Sequence, residues 1–171
     1  GVYLQTSQHE FLKNGASDFI AKPFSKEELI CRVNNTIEAM ENINKIANFA
    51  NRDFLTGAYN RRFFYQDIEE YVQAAEELDE PYAFAMLDID HFKKINDTYG
   101  HDGGDKILKS LAKILIDNTK GRDVVARFGG EEFCVVLKKI AKEEAIKFFV
   151  NLRAKVAENE VIIKDKTIKV T

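Results

Sequence analysis

Carboxylates at the end of an apolar run are the first residues in this chain whose types and spacing point to chemistry. Tyr82-Ala83-Phe84-Ala85-Met86-Leu87 is apolar on both faces, as a central buried strand would be, and it runs directly into Asp88-Ile89-Asp90. Residues i and i+2 of a strand share a face, so Asp88 and Asp90 start with parallel side chains. Two like charges held close together require a cation or a shared proton. Hard oxygen donors favour Mg²⁺, which keeps several waters and completes its shell with substrate phosphate oxygens. The competing structural role has one aspartate capping a following helix while the other faces solvent.

A second group is Arg127-Phe128-Gly129-Gly130-Glu131-Glu132-Phe133, set between two apolar β-type runs. Gly-Gly in that setting predicts a hairpin, with both glycines at the positive φ of a type I′ turn. Glycine also lets a ligand approach the backbone closely, and Glu131 puts a carboxylate at the turn. If the hairpin pairs beside the Asp88 strand, Glu131 and Asp88 can share one metal. The third group, Lys93-Lys94-Ile95-Asn96-Asp97-Thr98-Tyr99-Gly100-His101-Asp102-Gly103-Gly104-Asp105, reads as a polar, glycine-rich loop. Lys93 supplies a positive charge for a phosphate, and Asn96 with Asp105 supplies what a purine edge needs. A carboxylate accepting from N1–H and N2–H₂ selects guanine, because adenine has no donor at N1. A solvated loop with Asp105 in the first turn of the next helix has the same composition.

These residues need elements to hold them. The pattern predicts helices at 61–78, 105–118 and 142–159, and strands at 82–90, 124–128, 132–138 and 161–171. That order describes an α/β (α+β) sandwich, with helices over a mixed sheet. Upstream, Val2-Tyr3-Leu4 is β-prone, and Asp18-Phe19-Ile20-Ala21-Lys22-Pro23-Phe24 reads as a short strand stopped by proline. Ser25 and Glu28 have capping-box spacing, and no Gly or Pro interrupts 26–51. Ile30, Val33, Ile37, Met40, Asn44 and Ala47 recur at alternating spacings of three and four, the seam of a two-chain coil. Ile43, Ile46 and Ala50 form a displaced second seam. The alternative is an amphipathic helix docked on its own domain.

Composition excludes several classes. Forty-five per cent hydrophobic and 31% charged residues describe an ordinary globular chain rather than a disordered one. A net charge of −3 lacks the basic excess that binding a nucleic-acid polymer requires. The longest apolar run, 82–87, falls far short of the ~20 residues a membrane span needs. No targeting pattern opens the chain, and Cys31 and Cys134, in no metal-binding spacing, read as reduced core thiols, so the expected setting is the cytoplasm.

Together the three groups resemble the GGDEF family of diguanylate cyclases, here in the Gly129-Gly130-Glu131-Glu132-Phe133 form. Asp53-Phe54-Leu55-Thr56-Gly57-Ala58-Tyr59-Asn60-Arg61-Arg62 resembles the family's opening signature, so the likeness runs from Asp53 to Thr171. It implies a fold similar to the palm of nucleotidyl cyclases and polymerases, and a reaction joining two GTP into cyclic di-GMP with release of pyrophosphate. It also implies that two domains, each carrying one GTP, face each other in a homodimer. The implied metal set is the Asp88 carboxylate, the Ile89 carbonyl and the Glu131 carboxylate, holding Mg²⁺ or alternatively Mn²⁺. Asn96 and Asp105 match guanine-reading positions, His101 a further substrate contact, Lys93 a transition-state contact, and Glu131 the general base for the 3′ hydroxyl. The rival reading is an inactive domain that binds GTP or cyclic di-GMP and regulates a partner; a cyclase using ATP is disfavoured by Asn96 and Asp105.

Gly15 to Phe24 resembles the end of a response-regulator receiver domain, with Lys22 at the phosphoryl-contacting lysine, a cis bond to Pro23, and Thr6 as a candidate switch hydroxyl. The expected organisation is a receiver remnant over 1–37, a helical linker over 38–52 and a cyclase domain over 53–171, incomplete at its C-terminus. An upstream histidine kinase is the implied partner of the parent protein, and the fragment itself is expected to be impaired. Product-inhibited members of the family carry an Arg-x-x-Asp pair where this chain reads Lys120-Gly121-Arg122-Asp123. Lysine lacks the planar fork of arginine, which leaves Arg122 and Asp123 as the inhibitory-site candidates.

Overall fold

The computed structural model describes residues 13–121 and 123–171. The readings on Val2 to Leu4, Thr6 and Arg122 lie outside them. The chain divides into two units, Gly1–Ala50 and Asn51–Thr171.

In the first unit, helix α1 spans Lys26–Asn51, as the uninterrupted pattern predicts. Ser25 Oγ accepts from the Glu28 amide at 3.0 Å, one half of a capping box. The Glu28 carboxylate turns instead to Arg32, which also pairs with Asp18 at 3.0 Å. The guanidinium hydrogen bond draws the Asp18 carboxyl below its usual range. The Lys22–Pro23 bond is cis. No residue of α1 is buried, and Ile30, Val33, Ile37 and Met40 are each about half exposed. Cys31 is exposed too, which corrects its reading as a core thiol: it stands on a helix none of whose residues is buried.

The second unit opens with a turn and β1 (Tyr59–Asn60), then α2 (Arg61–Glu77), β2 (Tyr82–Leu87), α3 (Phe92–Tyr99) and α4 (His101–Asn118). It continues with β3 (Val124–Gly129), β4 (Glu132–Lys138), α5 (Lys142–Glu158), β5 (Val161–Ile163) and β6 (Lys166–Ile168). Asn60 caps α2, its side-chain oxygen accepting from the Phe63 amide at 2.9 Å. The sheet order is β1-β3-β4-β2, with β1 parallel to β3 and the other pairs antiparallel, so the sheet is mixed as expected. One face buries Val125, Phe133, Val135 and Leu137 against Ile107, Leu111 and Leu115 of α4 and Leu152 of α5. The other face packs Val124, Ala126, Cys134 and Val136 against Phe64 of α2. Burial pushes the Cys134 thiol up to about 12, leaving it inert.

Three expectations need correction. Among the described residues β2 is an edge strand: Ala83, Ala85 and Leu87 are half-buried, while Phe84 and Met86 are about half exposed on the other face. The strand expected over 161–171 folds back on itself, because Lys164 and Asp165 both take positive φ and form the two-residue turn between β5 and β6. The stretch after Asp90 is two helices rather than a loop. Phe92, Ile95 and Tyr99 recur at helical spacing and pack on the core, and Gly100 at φ 80° breaks α3 from α4.

Candidate active site

The antiparallel register of β2 and β4 decides which carboxylates can meet. Tyr82 pairs with Lys138 at one end and Leu87 with Phe133 at the other. Asp88 and Ile89 leave β2 at the same end at which Glu131 and Glu132 enter β4. The hairpin does lie beside the Asp88 strand, the condition on which a shared site depends.

The two aspartates separate in environment. Asp90 is tied down: its amide donates to the Thr171 carbonyl at 2.9 Å, and its carboxylate accepts from the Thr171 hydroxyl at 3.0 Å. Asp88 is exposed, and no described residue hydrogen-bonds or pairs with its carboxylate. Neither aspartate caps α3, whose first turn follows His91 in the left-handed region at φ 59°. The Ile89 carbonyl accepts one bond, from the Phe92 amide at 3.2 Å, so its second lone pair is available. Asp88, Ile89 and Asp90 line a cleft of about 1010 Å³ that also holds Phe149 and Arg153 but none of Lys93, Asn96, Asp105 or Glu131.

The turn itself differs from the expected geometry. Gly129 pairs with Glu132, so the two loop residues are Gly130 and Glu131, and of these only Gly130 has positive φ, at 46°. That is the sign pattern of a type II′ turn, in which glycine is needed at the first position alone. The register shifts between Arg127 and Gly129, a bulge of the kind that re-aims a strand end. A side chain added at Gly129 would meet nothing within 4 Å.

Helices α3 and α4 carry the polar constellation. A Cβ at Gly104 would sit 2.0 Å from Asn96 Oδ1, and one at Gly103 would sit 2.6 Å from Tyr99 Cβ. The two glycines therefore stand inside a helix, at a propensity cost of roughly 1 kcal/mol each, because α3 lies against α4 there. That contact sets the half-buried Asn96 beside Gly104, the residue before half-buried Asp105. His101 opens α4 and Lys93 lies in the first turn of α3, both exposed. Asp123 accepts from the Lys120 amide at 2.9 Å and from the Lys138 amide at 3.0 Å.

Sequence reasoning assigned no role to Asp53 or Arg127, although both lie inside the motifs it singled out. Arg127 Nε and Nη2 donate to the Gly130 carbonyl at 3.1 and 2.7 Å, and Nη1 donates to Asp53 Oδ1 at 3.1 Å. Burial disfavours the Asp53 charge, but bonds from Thr56 and Arg127 outweigh it and hold the carboxyl below its usual range. The available signal was an arginine three residues before the second glycine of a hairpin, within reach of the turn's carbonyl.

The donor set suits a hard divalent cation. Two carboxylates and a backbone carbonyl are oxygen ligands of the type Mg²⁺ takes, and Asp88 has no described partner to give up. Among the described residues no cluster of three or more His, Cys, Asp or Glu side chains is poised for a metal, so any site here rests on this smaller set. No described helix is long and apolar enough to cross a membrane.

Residues 50–171 match the family described as "Diguanylate cyclase, GGDEF domain". The chain is 34% identical over 153 residues to the response regulator PleD of Caulobacter vibrioides, a match covering 85% of this chain and 34% of that protein. It thus spans about a third of that relative's length. Among solved structures, the coiled coil and GGDEF domain of DgcB from Caulobacter crescentus, in complex with c-di-GMP, superposes with a TM-score of 0.73 at 25% identity, covering 85% of this chain and 78% of that one. Diguanylate cyclase SiaD from Pseudomonas aeruginosa, in complex with its activator SiaC, gives 0.71 at 28% identity, covering 99% and 62%.

Proposed function

The chain belongs to the GGDEF family of diguanylate cyclase domains, and from that premise we propose that its parent protein condenses two GTP into cyclic di-GMP, releasing two pyrophosphates. The observation that carries this reading is the β2–β4 register, which brings Asp88 and Glu131 to one end of the sheet. Asp88, the Ile89 carbonyl and Glu131 would hold Mg²⁺, or Mn²⁺ in its place. When bound, the ion supplies neutralisation of triphosphate charge.

The chain's own residues do the rest. Asp105 accepts from the guanine N1–H and N2–H₂, Asn96 completes the edge, and His101 adds a contact at the start of α4. Lys93 offsets charge developing on the phosphate. Glu131 takes the proton of a ribose 3′ hydroxyl, whose oxygen attacks the α-phosphorus of the other GTP while pyrophosphate departs. Repeating the step in the opposite sense closes the ring. Positioning and fixed charge provide most of the acceleration in such chemistry.

Each domain presents one nucleotide, so a homodimer is required, and the uncovered seam of α1 supplies its surface. Residues 1–37 are the end of a receiver with Lys22 at its phosphoryl contact, 38–52 the linker and 53–171 the cyclase domain, in a cytoplasmic protein answering to a histidine kinase. The likeness to a response regulator over 85% of the chain supports this arrangement. Product inhibition through Arg122 and Asp123 is weak, because Lys120 lacks the fork that clamps a phosphate and Asp123 already accepts two backbone amides. The test is incubation of the full-length protein with GTP and Mg²⁺, followed by mass detection of product. Cyclic di-GMP from GTP, with no dinucleotide from ATP, is the expected result; no dinucleotide from either would reject the proposal.

A further inference from the structure

We infer that Arg127 is a positioning residue that sets the direction of Glu131 by clamping the Gly130 carbonyl, with Asp53 as its fixed anchor. The inference rests on the role proposed for Glu131. The Gly130 carbonyl belongs to the same rigid peptide plane as the Glu131 amide, so fixing that oxygen fixes the bond leading into Glu131 Cα. Gly130, at positive φ and with open space around it, has the freest backbone in the turn and needs an external constraint. Arg127 provides one through two donors converging on a single oxygen.

The anchor is overdetermined. Asp53 Oδ1 accepts from Arg127, from the Thr56 amide at 2.9 Å and from the Thr56 hydroxyl at 2.6 Å. Its backbone is bonded to Ala58 and Gly57 at 2.8 and 2.9 Å, and Asn60 just beyond pairs with Arg127 in the β1–β3 ladder. All three guanidinium nitrogens are engaged within the protein, and the Arg127 side chain is only 15% exposed. Its guanidinium is thus committed on all three nitrogens to the turn and its anchor. Asp53 stands two residues past the end of α1, so the anchor of the turn is also the start of the cyclase domain's chain.

Arg127→Gln, Arg127→Lys and Asp53→Asn, each in the full-length protein, test this with two readouts. The first is ¹⁵N relaxation, reading the order parameter of the Glu131 amide, which shares the clamped peptide plane. The expected change is a fall from about 0.85 to below about 0.6 in both Arg127 variants, and a smaller fall in Asp53→Asn, with the amides of α5 unchanged. The second is steady-state kinetics with GTP. The expected result is a kcat about tenfold lower or more in Arg127→Gln with KM within about threefold, no rescue by Arg127→Lys, and no further loss when Asp53→Asn is added. An unchanged Glu131 order parameter overturns the clamp, as does a rise in KM that Arg127→Lys reverses, which would make Arg127 a charge contact to substrate. If the wild-type protein makes no dinucleotide, the functional proposal fails on its own and the relaxation result still decides the clamp.

Discussion

Gly129 has a φ that any residue can adopt and room for a side chain, so nothing in the packing requires glycine there. Under the proposed function that space is where a triphosphate meets the backbone. Gly129→Ala should therefore leave the melting temperature within about 2 °C of wild type while lowering the rate of dinucleotide formation by about tenfold or more; calorimetry and a product assay on one preparation check both halves. Asp53 gives a prediction about pH. Its folded carboxyl lies below the unfolded value of about 3.9, so its contribution to stability is fully present above that value and is lost as pH falls through the lowered folded one. Asp53→Asn should cost about 1–3 kcal/mol at pH 7, and the gap to wild type should shrink as urea titrations move below about pH 4. A gap that is constant with pH would mean the carboxylate's charge is not what holds the turn.

At the scale of elements, the α3–α4 contact makes the sharpest demand on sequence. Gly104→Ala places a methyl on Asn96 Oδ1, and overpacking of this kind costs about 1–3 kcal/mol. Because the atom displaced is the proposed guanine contact, GTP binding should weaken by about tenfold, well beyond the change in ATP binding; isothermal titration with both nucleotides measures it. This contact also shows what the sequence could and could not reveal. Strong periodicity and caps made α1, α2, α5 and the β3–β4 hairpin legible, and the order of motifs made the family legible. Helix α3 was hidden because Lys93, Lys94, Asn96 and Asp97 masked the apolar spacing of Phe92, Ile95 and Tyr99, and because glycines in the first turn of α4 read as loop. The β5–β6 turn was hidden because Lys164 and Asp165 adopt positive φ without a glycine to announce it. The Arg127 clamp joins residues 74 positions apart and exists only once β1 pairs with β3.

For the whole molecule, the account requires two copies to meet. Ile37→Lys with Met40→Lys, both on the uncovered face of α1, should turn dimer into monomer in sedimentation and lower activity per molecule, and wild-type initial rate should rise more steeply than linearly with enzyme concentration near the dimer's dissociation constant. An unchanged dimer would place the interface elsewhere. The central claim, however, is that Asp88 and Glu131 form one site at the end of β2 and β4. Its most direct test is the rate of cyclic di-GMP formation from GTP and Mg²⁺ by full-length Asp88→Ala beside wild type, with circular dichroism to confirm that both are folded. Loss of product by at least about a hundredfold in a folded variant is the predicted result; product formation at the wild-type rate would contradict the site.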